Sequence, residues 1–425
     1  MEFYKENIFK DTPVGKVPQE WEIVNLRETL LLLRNGLTAK QNKDRKGYPV
    51  TRIETISEEK IDLSKLGYVH NITKEDVNKY RLVEGDILFS HINSLQHIGK
   101  TAIYEGIPET LIHGMNLLLL RPAKDKVYPK FLLYLLRLFR RRKIFWAMSK
   151  KAVNQASINQ TELGRLKVML PPLTEQRGIV EVLSVVDLAI QKTDEIIAKT
   201  ERLKRGLMQT LLTKGIGHKE FKQTPIGKIP KTWRVMRLKE VATVERGKFA
   251  HRPRNDPRFY GGNIPFIQTG DIAKAGGIIK EYSQTLNEEG LKISKLFKKG
   301  TIVISIAGNI GDVGILGFDA CFPDSVVGIS VDNKINRLFL MYLLQNLKHE
   351  LSGKAPRSTQ KNINLQILES LKIPVPPLSE QEKIAKVLFA VDTKLQIENE
   401  NKKRLERIKC GLMDLLLTGK IRVKV

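Results

Sequence analysis

Residues Pro171 to Gly215 read PPLTEQRGIVEVLSVVDLAIQKTDEIIAKTERLKRGLMQTLLTKG, and from Pro376 the chain reads PPLSEQEKIAKVLFAVDTKLQIENENKKRLERIKCGLMDLLLTG. The paired prolines hold the chain extended, and Thr174 and Ser379 stand where a helix cap belongs, Ser379 with Glu382 at capping-box spacing. Apolar residues then recur at steps of four and three: Ile179, Leu183, Val186, Ile190, Ile197, Leu207 and Leu211, and again Ile384, Leu388, Val391, Leu395, Leu405, Leu412 and Leu416. This is the spacing of a coiled-coil seam. Gly215 and Gly419 mark the stops. The spacing predicts helices from about position 175 to 213 and 380 to 418, each about 58 Å long at about 1.5 Å per residue. The seam is narrow and the other faces are charged, so the natural partner of each helix is the other copy; the rival reading makes each helix core of its own domain. Thr193 and Ile197 correspond to Glu398 and Lys402, a polar middle that either fixes register or is simply wet.

A second repeat opens each half. FKDTPVGKVPQEWEIVNL from Phe9 returns as FKQTPIGKIPKTWRVMRL from Phe221, with Gly15 and Gly227 at turns and Trp21 and Trp233 leading into strands. Arg81 to Ser90 and Leu296 to Ser305 both read as a turn followed by a buried strand. An apolar helix then follows in each half (Lys130 to Met148; Asn336 to Leu351), then a Gln-x-x-Ile-Asn loop (Gln155, Ile158, Asn159; Gln360, Ile363, Asn364) and a short apolar segment. Elsewhere the halves diverge, RNGLTAKQNKDRKGYPVTRI from Arg34 against ERGKFAHRPRNDPRFYGGNIPFIQTG from Glu245. The order predicts a mixed α/β (α+β) fold in four stretches: domain 1–170, helix 171–216, domain 217–375 and helix 376–425. One scaffold then carries two different surfaces.

With 425 residues and a hydrophobic share of 41%, the chain has enough apolar material for two cores. Its 72 Lys plus Arg against 46 Asp plus Glu give a formal charge of +26, dispersed along the sequence, which points to a polyanionic partner, DNA or RNA. A basic proteome background is the bland alternative. Cys321 and Cys410 are too few for a disulfide framework or a cysteine zinc site. The N-terminus lacks the apolar core of a signal peptide, and no apolar run reaches membrane-spanning length. A cytoplasmic protein with no membrane partner is expected.

The set of motifs, taken in order and twice, resembles the specificity subunit of Type I restriction-modification systems: Thr-Pro-x-Gly-x-x-Pro-x-x-Trp at each opening, the Gln-x-x-Ile-Asn loop, Pro-Pro-Leu-x-Glu-Gln at each helix start, and Gly-Leu-Met-x-x-Leu-Leu-Thr at each helix end (Gly206 to Thr213; Gly411 to Thr418). The resemblance spans nearly the whole chain. It implies two target-recognition domains, each reading half of a split double-stranded DNA target, separated by a pair of long helices. It implies two methyltransferase subunits as partners, restriction subunits in the full complex, and no catalysis by this chain. Helices that carry the chain out and back are antiparallel, so the pseudo-dyad lies across them as a DNA dyad lies across a duplex.

Signatures of chemistry are missing. Asp256-Pro257-Arg258-Phe259 lacks the double proline of an adenine methyltransferase loop, and Gly99-Lys100-Thr101 ends like a phosphate loop but has Ser94 where the first glycine belongs. Gly308, Gly311, Gly314 and Gly317 recur every three residues, which relieves crowding better than it cradles a dinucleotide. The seven histidines show no metal spacing. No catalytic residue, cofactor or metal is expected.

Contact chemistry remains. Major-groove reading uses Arg or Lys for guanine and Asn or Gln for adenine. In the first domain the candidates are Arg34, Asn35, Lys40, Gln41, Asn42, Lys43, Arg45, Arg52, His91, Asn93, Ser94, Gln96 and His97. In the second they are Arg246, Lys248, His251, Arg252, Arg254, Arg258, Tyr260, Gln268, Ser305, Asn309, Arg357 and Ser358. For any one of them, a solvated surface or phosphate contact is an equal reading. The Gln-x-x-Ile-Asn loops, unchanged in two domains expected to read different bases, fit better as fixtures of domain on helix or as backbone contacts than as base readers. Arg140, Arg141, Arg142 and Lys143 form either a phosphate stripe or the wet face of a helix. The rival functions are a stand-alone DNA methyltransferase or nuclease with twin recognition domains, and a protein scaffold without DNA contact.

Overall fold

The computed structural model describes residues 2–42, 44–152, 155–251, 253–354 and 363–424. They fall into two compact units, one made of residues 1–193 with 401–425 and the other of 194–400. Each long helix, Leu173–Lys214 and Leu378–Leu416, therefore begins in one unit and ends in the other. At about 1.5 Å per residue they are about 63 and 59 Å long.

In the first unit the opening motif folds as the hairpin Phe9–Thr12 with Gly15–Pro18. Its turn closes where the Thr12 hydroxyl donates to the Gly15 carbonyl at 2.6 Å, with Gly15 at φ +101°. That conformation favours glycine, which explains the fixed position. The fully buried Trp21 ends the motif, and the next strand, Glu22–Asn25, pairs with Lys167–Leu170 just before the long helix. The sheet above it runs Thr101–Ile103, Ile87–Phe89, Leu118–Pro122 and Leu30–Asn35, all antiparallel. Ile87, Leu88 and Phe89 are buried on both faces of that sheet, so this strand reads as a continuous apolar run instead of an alternation. The helix Pro129–Arg141 fills the core with Phe131, Leu132, Leu135, Leu136 and Leu138. A short pairing of Glu2–Lys5 with Ile421–Lys424 completes the unit.

The second unit repeats the opening as Phe221–Thr224 with Gly227–Pro230, Gly227 at φ +102°, then buries Trp233 and pairs Arg234–Arg237 with Lys372–Val375. Its outer part is built differently. A five-stranded sheet runs Ala242–Arg246, Val326–Val331, Ile302–Ser305, Val313–Leu316 and Ile278–Ile279, the last strand parallel to its neighbour. A second sheet orders Gln284–Leu286, Tyr260–Phe266, Ala320–Cys321 and Leu296–Phe297. The helix Arg337–Asn346 packs into this unit's core as Pro129–Arg141 does in the first. Gly314 and Gly317 are where strands crowd: a Cβ there would meet the Gly277 and Ile279 carbonyls at 2.8 and 2.5 Å.

Both readings of the long helices hold, in different stretches. Ile179, Val180 and Leu183 at the start of the first helix, with Met413 and Leu416 at the end of the second and Leu417 just after it, lie in the core of the first unit. Ile384, Ala385, Leu388 and Leu212 do the same in the second. In each unit the beginning of one long helix runs against the end of the other, hence antiparallel. Toward mid-helix burial fades, Val186, Ile190, Leu395 and Leu405 being half-buried. The polar middle positions are covered yet satisfied locally: the Thr193 hydroxyl donates to Ala189 at 2.8 Å, and Glu398 accepts from Lys394.

Candidate nucleic-acid interface

The repeated motifs are decoded by four contacts made in both units. Trp21 Nε1 donates to Glu175 Oε2 at 3.2 Å, and Trp233 Nε1 donates to Glu380 Oε2 at 3.0 Å. A basic side chain from the segment after the opposite helix meets the same carboxylate: Arg422 on Glu175 at 2.6 and 2.8 Å, His218 Nε2 within 2.9 Å of Glu380. The neighbouring glutamine grips the start of the domain helix. Gln176 accepts from Tyr128 N at 2.7 Å and donates to the Lys126 and Pro171 carbonyls; Gln381 accepts from Asn336 N at 2.7 Å and donates to those of Lys334 and Pro376. Finally an aspartate on the long helix takes a tyrosine on one oxygen and a lysine on the other: Tyr134 and Lys409 on Asp187, Tyr342 and Lys204 on Asp392.

In the Gln-x-x-Ile-Asn loops the Ile and the Asn are structural. Ile158 and Ile363 are buried and their amides donate to the carbonyls of His91 and Ile306. Asn159 and Asn364 cap the short helices Gln160–Gly164 and Leu365–Glu369. Gln155 is exposed, and Gln360 lies outside the described residues. The arginine run divides: Arg137 and Arg140 are half-buried and pair with Glu59, tying the domain helix to a loop, while Arg141, Arg142 and Lys143 are exposed, as a wet helix face would be, with Arg141 and Arg142 paired to Asp414 of the second long helix. Lys143 lies over the Trp146 ring at 5.3 Å.

In the first unit the structure gathers the candidates into two groups. Gln41, Asn42, Arg45 and Arg52 surround the hairpin Tyr48–Val50 with Gly67–Val69. Asn42 exchanges backbone hydrogen bonds with Tyr68, and Arg52 reaches Gln41 Oε1 at 3.5 Å and Glu54 at 3.2 Å. Arg45, Arg52, Lys65 and Tyr68 line a concavity of about 500 Å³ here. The second group is the turn after the central strand. Asn93 Nδ2 donates to Ser90 Oγ at 3.1 Å, Ser94 N donates to Asn93 Oδ1 at 2.8 Å, and His97 N donates to Ser94 O at 2.9 Å. Gln96 is exposed, with its carbonyl held by Arg140. Burial, then Lys100 and Arg140, lowers the His97 pKa. Asn35 and Lys40 are exposed, whereas Arg34 is half-buried with its guanidinium 4.7 Å above the Tyr80 ring and Nε and Nη2 unbonded. His91 is buried, its pKa pushed down to about 4 by burial, so it does not present itself at the surface. Lys43 lies outside the described residues.

In the second unit Arg246, Lys248, Arg254 and Arg258 are exposed along one segment backed by Phe249, Phe259, Tyr260 and Phe266. Arg254 pairs with Asp324, and Tyr260 donates its hydroxyl to the Arg254 carbonyl. Asp256 holds Arg258 at 2.8 Å and His251 at 3.0 Å, and the Arg258 hydrogen bond first of all lowers its pKa to about 2. Gln268 donates to Gln284 at 2.8 Å. Asn309 is exposed, but Ser305 is fully buried and donates to the Asn309 carbonyl, so it shapes the turn and does not reach out. Arg252, Arg357 and Ser358 lie outside the described residues. Exposed pairs such as Arg52 with Glu54 and Arg258 with Asp256 are worth little in water, so their guanidinium groups can exchange a carboxylate for a phosphate or a base edge at small cost.

The segments nearest to catalytic motifs are engaged otherwise. Asp256 caps the turn Pro257–Phe259, and Lys100 donates its ammonium to the Ser57 carbonyl while Thr101 is buried in a strand. Among the described residues no cluster of three metal-ligating side chains occurs, and no helix is long and apolar enough to cross a membrane.

A profile of the Type I restriction modification DNA specificity domain matches residues 18–202 and again 230–407. The chain is 46% identical over 426 residues to the putative type I restriction enzyme MjaX specificity subunit of Methanocaldococcus jannaschii, covering 100% of this chain and 99% of that one. It is 31% identical over 440 residues to the type I restriction enzyme MjaVIII specificity subunit of the same organism, covering 100% and 98%. The S subunit of a Type-I restriction-modification system from M. genitalium shares the fold, with a TM-score of 0.59 at 16% identity over 93% of this chain and 96% of that one.

Proposed function

The chain belongs to the Type I restriction-modification DNA specificity family, and from that premise we propose that it is the subunit that supplies sequence recognition and leaves the chemistry to others. Each unit reads one half of a bipartite double-stranded DNA target, the long helices set the spacer, and two methyltransferase subunits dock on them; restriction subunits join the full complex, in the cytoplasm. The observation that carries this reading is the contrast within each unit. The tryptophan, glutamine and aspartate contacts of the long helices are duplicated atom for atom, while the outer sheets and the exposed basic residues they carry are not. A shared frame with unlike outer surfaces is what reading two unlike half-sites requires.

Docking of two like partners is supported by apolar residues exposed on the helices outside the seam. Leu203 and Ile408, at matching positions of the repeat, are 54% and 46% exposed, with Val185 and Leu188 on the first helix and Val387 and Ile397 on the second. The formal charge of +26 suits a phosphate backbone. A stand-alone methyltransferase or nuclease is not favoured, since relatives over the full length are specificity subunits.

The test is an exchange. Replacing residues 242–354 by the matching stretch of a relative with a different target is expected to change one half-site and leave the other half and the spacer intact, read from the methylation pattern of host DNA. Each mismatch in the surviving half-site should still cost about 1–3 kcal/mol in binding. A change in both halves together would overturn the division of labour.

A further inference from the structure

The repeated Tyr–Asp–Lys contacts hold more than a fold. Tyr134 Oη donates to Asp187 Oδ2 at 2.6 Å, and Lys409 Nζ lies 2.6 Å from Asp187 Oδ1 and 5.8 Å from the Tyr134 ring. In the second unit Tyr342 Oη donates to Asp392 Oδ2 at 2.8 Å, and Lys204 Nζ lies 2.6 Å from Asp392 Oδ1 and 5.7 Å from the Tyr342 ring. The roles of the long helices are exchanged: aspartate on the first and lysine on the second in one unit, the reverse in the other. Each carboxylate thus joins three bodies, its own helix, the opposite helix and the helix of a recognition domain. Both tyrosines are buried, and burial first of all, with the aspartate beside it, raises their pKa, so each hydroxyl stays a donor.

A helix that slips by one residue moves about 1.5 Å and turns about 100°, which swings an aspartate off both partners. A slip of one full turn, about 5.4 Å, keeps apolar faces together and so is poorly opposed by the middle of the seam, where Val186, Ile190, Leu395 and Leu405 are half-buried. It would displace a domain by more than one base-pair step of about 3.4 Å. We propose that Tyr134–Asp187–Lys409 and Tyr342–Asp392–Lys204 are register pins, positioning residues through which the protein rejects targets whose half-sites are correct but wrongly spaced. The inference rests on the bipartite reading above.

The test uses the full chain assembled with its methyltransferase subunits, and duplexes with identical half-sites and spacers one and two base pairs shorter or longer than the natural one. Lys204→Met with Lys409→Met removes both charges at nearly constant length. Tyr134→Phe with Tyr342→Phe removes only two hydroxyls, and serves if the lysine variant folds poorly. Preference for the natural spacer should fall about tenfold in the lysine pair, as loss of charged hydrogen bonds predicts, and less in the tyrosine pair. Discrimination against half-site mismatches should not change. An unchanged spacer preference in both variants, with only a lower melting temperature, would overturn the pins and leave the bipartite reading standing. A parent protein indifferent to spacing would overturn both.

Discussion

The two units solve one problem with one exception. Trp21 and Trp233, Gln176 and Gln381, Asp187 and Asp392 make matching contacts, yet the side chain that meets the helix-start glutamate is Arg422 in the first unit and His218 in the second. Arg422 is 4% exposed and also binds Glu6 at 2.7 Å and Glu20 at 3.0 Å, a network that has no counterpart around His218 among the described residues. The lesson is that a duplicated frame is held most strictly where a domain meets a helix, and relaxes where the chain merely passes by.

The difference can be broken directly. Glu175→Ala leaves the Arg422 guanidinium and the Trp21 N–H under-satisfied in a buried place, and should cost about 3 kcal/mol, the low end for a broken buried pair because Glu6 and Glu20 remain. Glu380→Ala should cost about 1–2 kcal/mol, the loss of ordinary buried hydrogen bonds. Urea unfolding of the two variants checks the order; equal losses would erase the distinction.

Acid should sharpen it. Burial pushes His113 down to about 3 and His91 down to about 4, and each has an Nδ1 without a partner, so a proton added there finds no acceptor. Unfolded, both bind protons near 6.5, so stability of the first unit should fall as pH drops from about 6.5 toward 4. In the second unit the strongly lowered carboxylate, Asp256 at about 2, gives way only below its unfolded value near 3.9. Fluorescence separates the units, because Trp233→Phe leaves Trp21 and Trp146 in the first unit. Earlier acid unfolding of that signal is expected; coincident curves would contradict it. The smallest effect concerns the shared loops: Asn159→Ala and Asn364→Ala each remove a helix cap and should each cost about 1 kcal/mol, equally in both units by thermal melting.

Much of this frame was legible in the sequence, because a period of four and three and a motif written twice are local signals. The long helices, the turns at Gly15 and Gly227, the strands after Trp21 and Trp233 and the buried central strands stand where spacing puts them, while the hairpins around those turns did not show. The contacts were not legible, since Trp21 finds Glu175, and Arg422 finds both Glu6 and Glu175, across separations no pattern of neighbours encodes. Tyr134 and Tyr342 sit in apolar runs and read as core; the one available hint was that Asp187, Lys204, Asp392 and Lys409 survive at matching positions of an otherwise varied helix. The arginines at 140–142 look like one nucleic-acid stripe in one dimension, yet in three Arg140 turns to Glu59 while Arg141 and Arg142 stay exposed beside Asp414. Ser305 and His91 failed as surface residues for a related reason: Ser305 ends, and His91 closely follows, an apolar strand inside its sheet, and both are buried with it.

Arg422 also sets a timetable. The second unit is one continuous stretch, whereas the first waits for residues that leave the ribosome after the whole of the second has been made. At about 5–20 residues per second, the interval from position 193 to Arg422 lasts on the order of ten to fifty seconds. Throughout it Glu175 has Trp21 and no arginine, and the first unit lacks the strand that pairs with Glu2–Lys5. A nascent chain therefore finishes its second reader first and locks its first reader last.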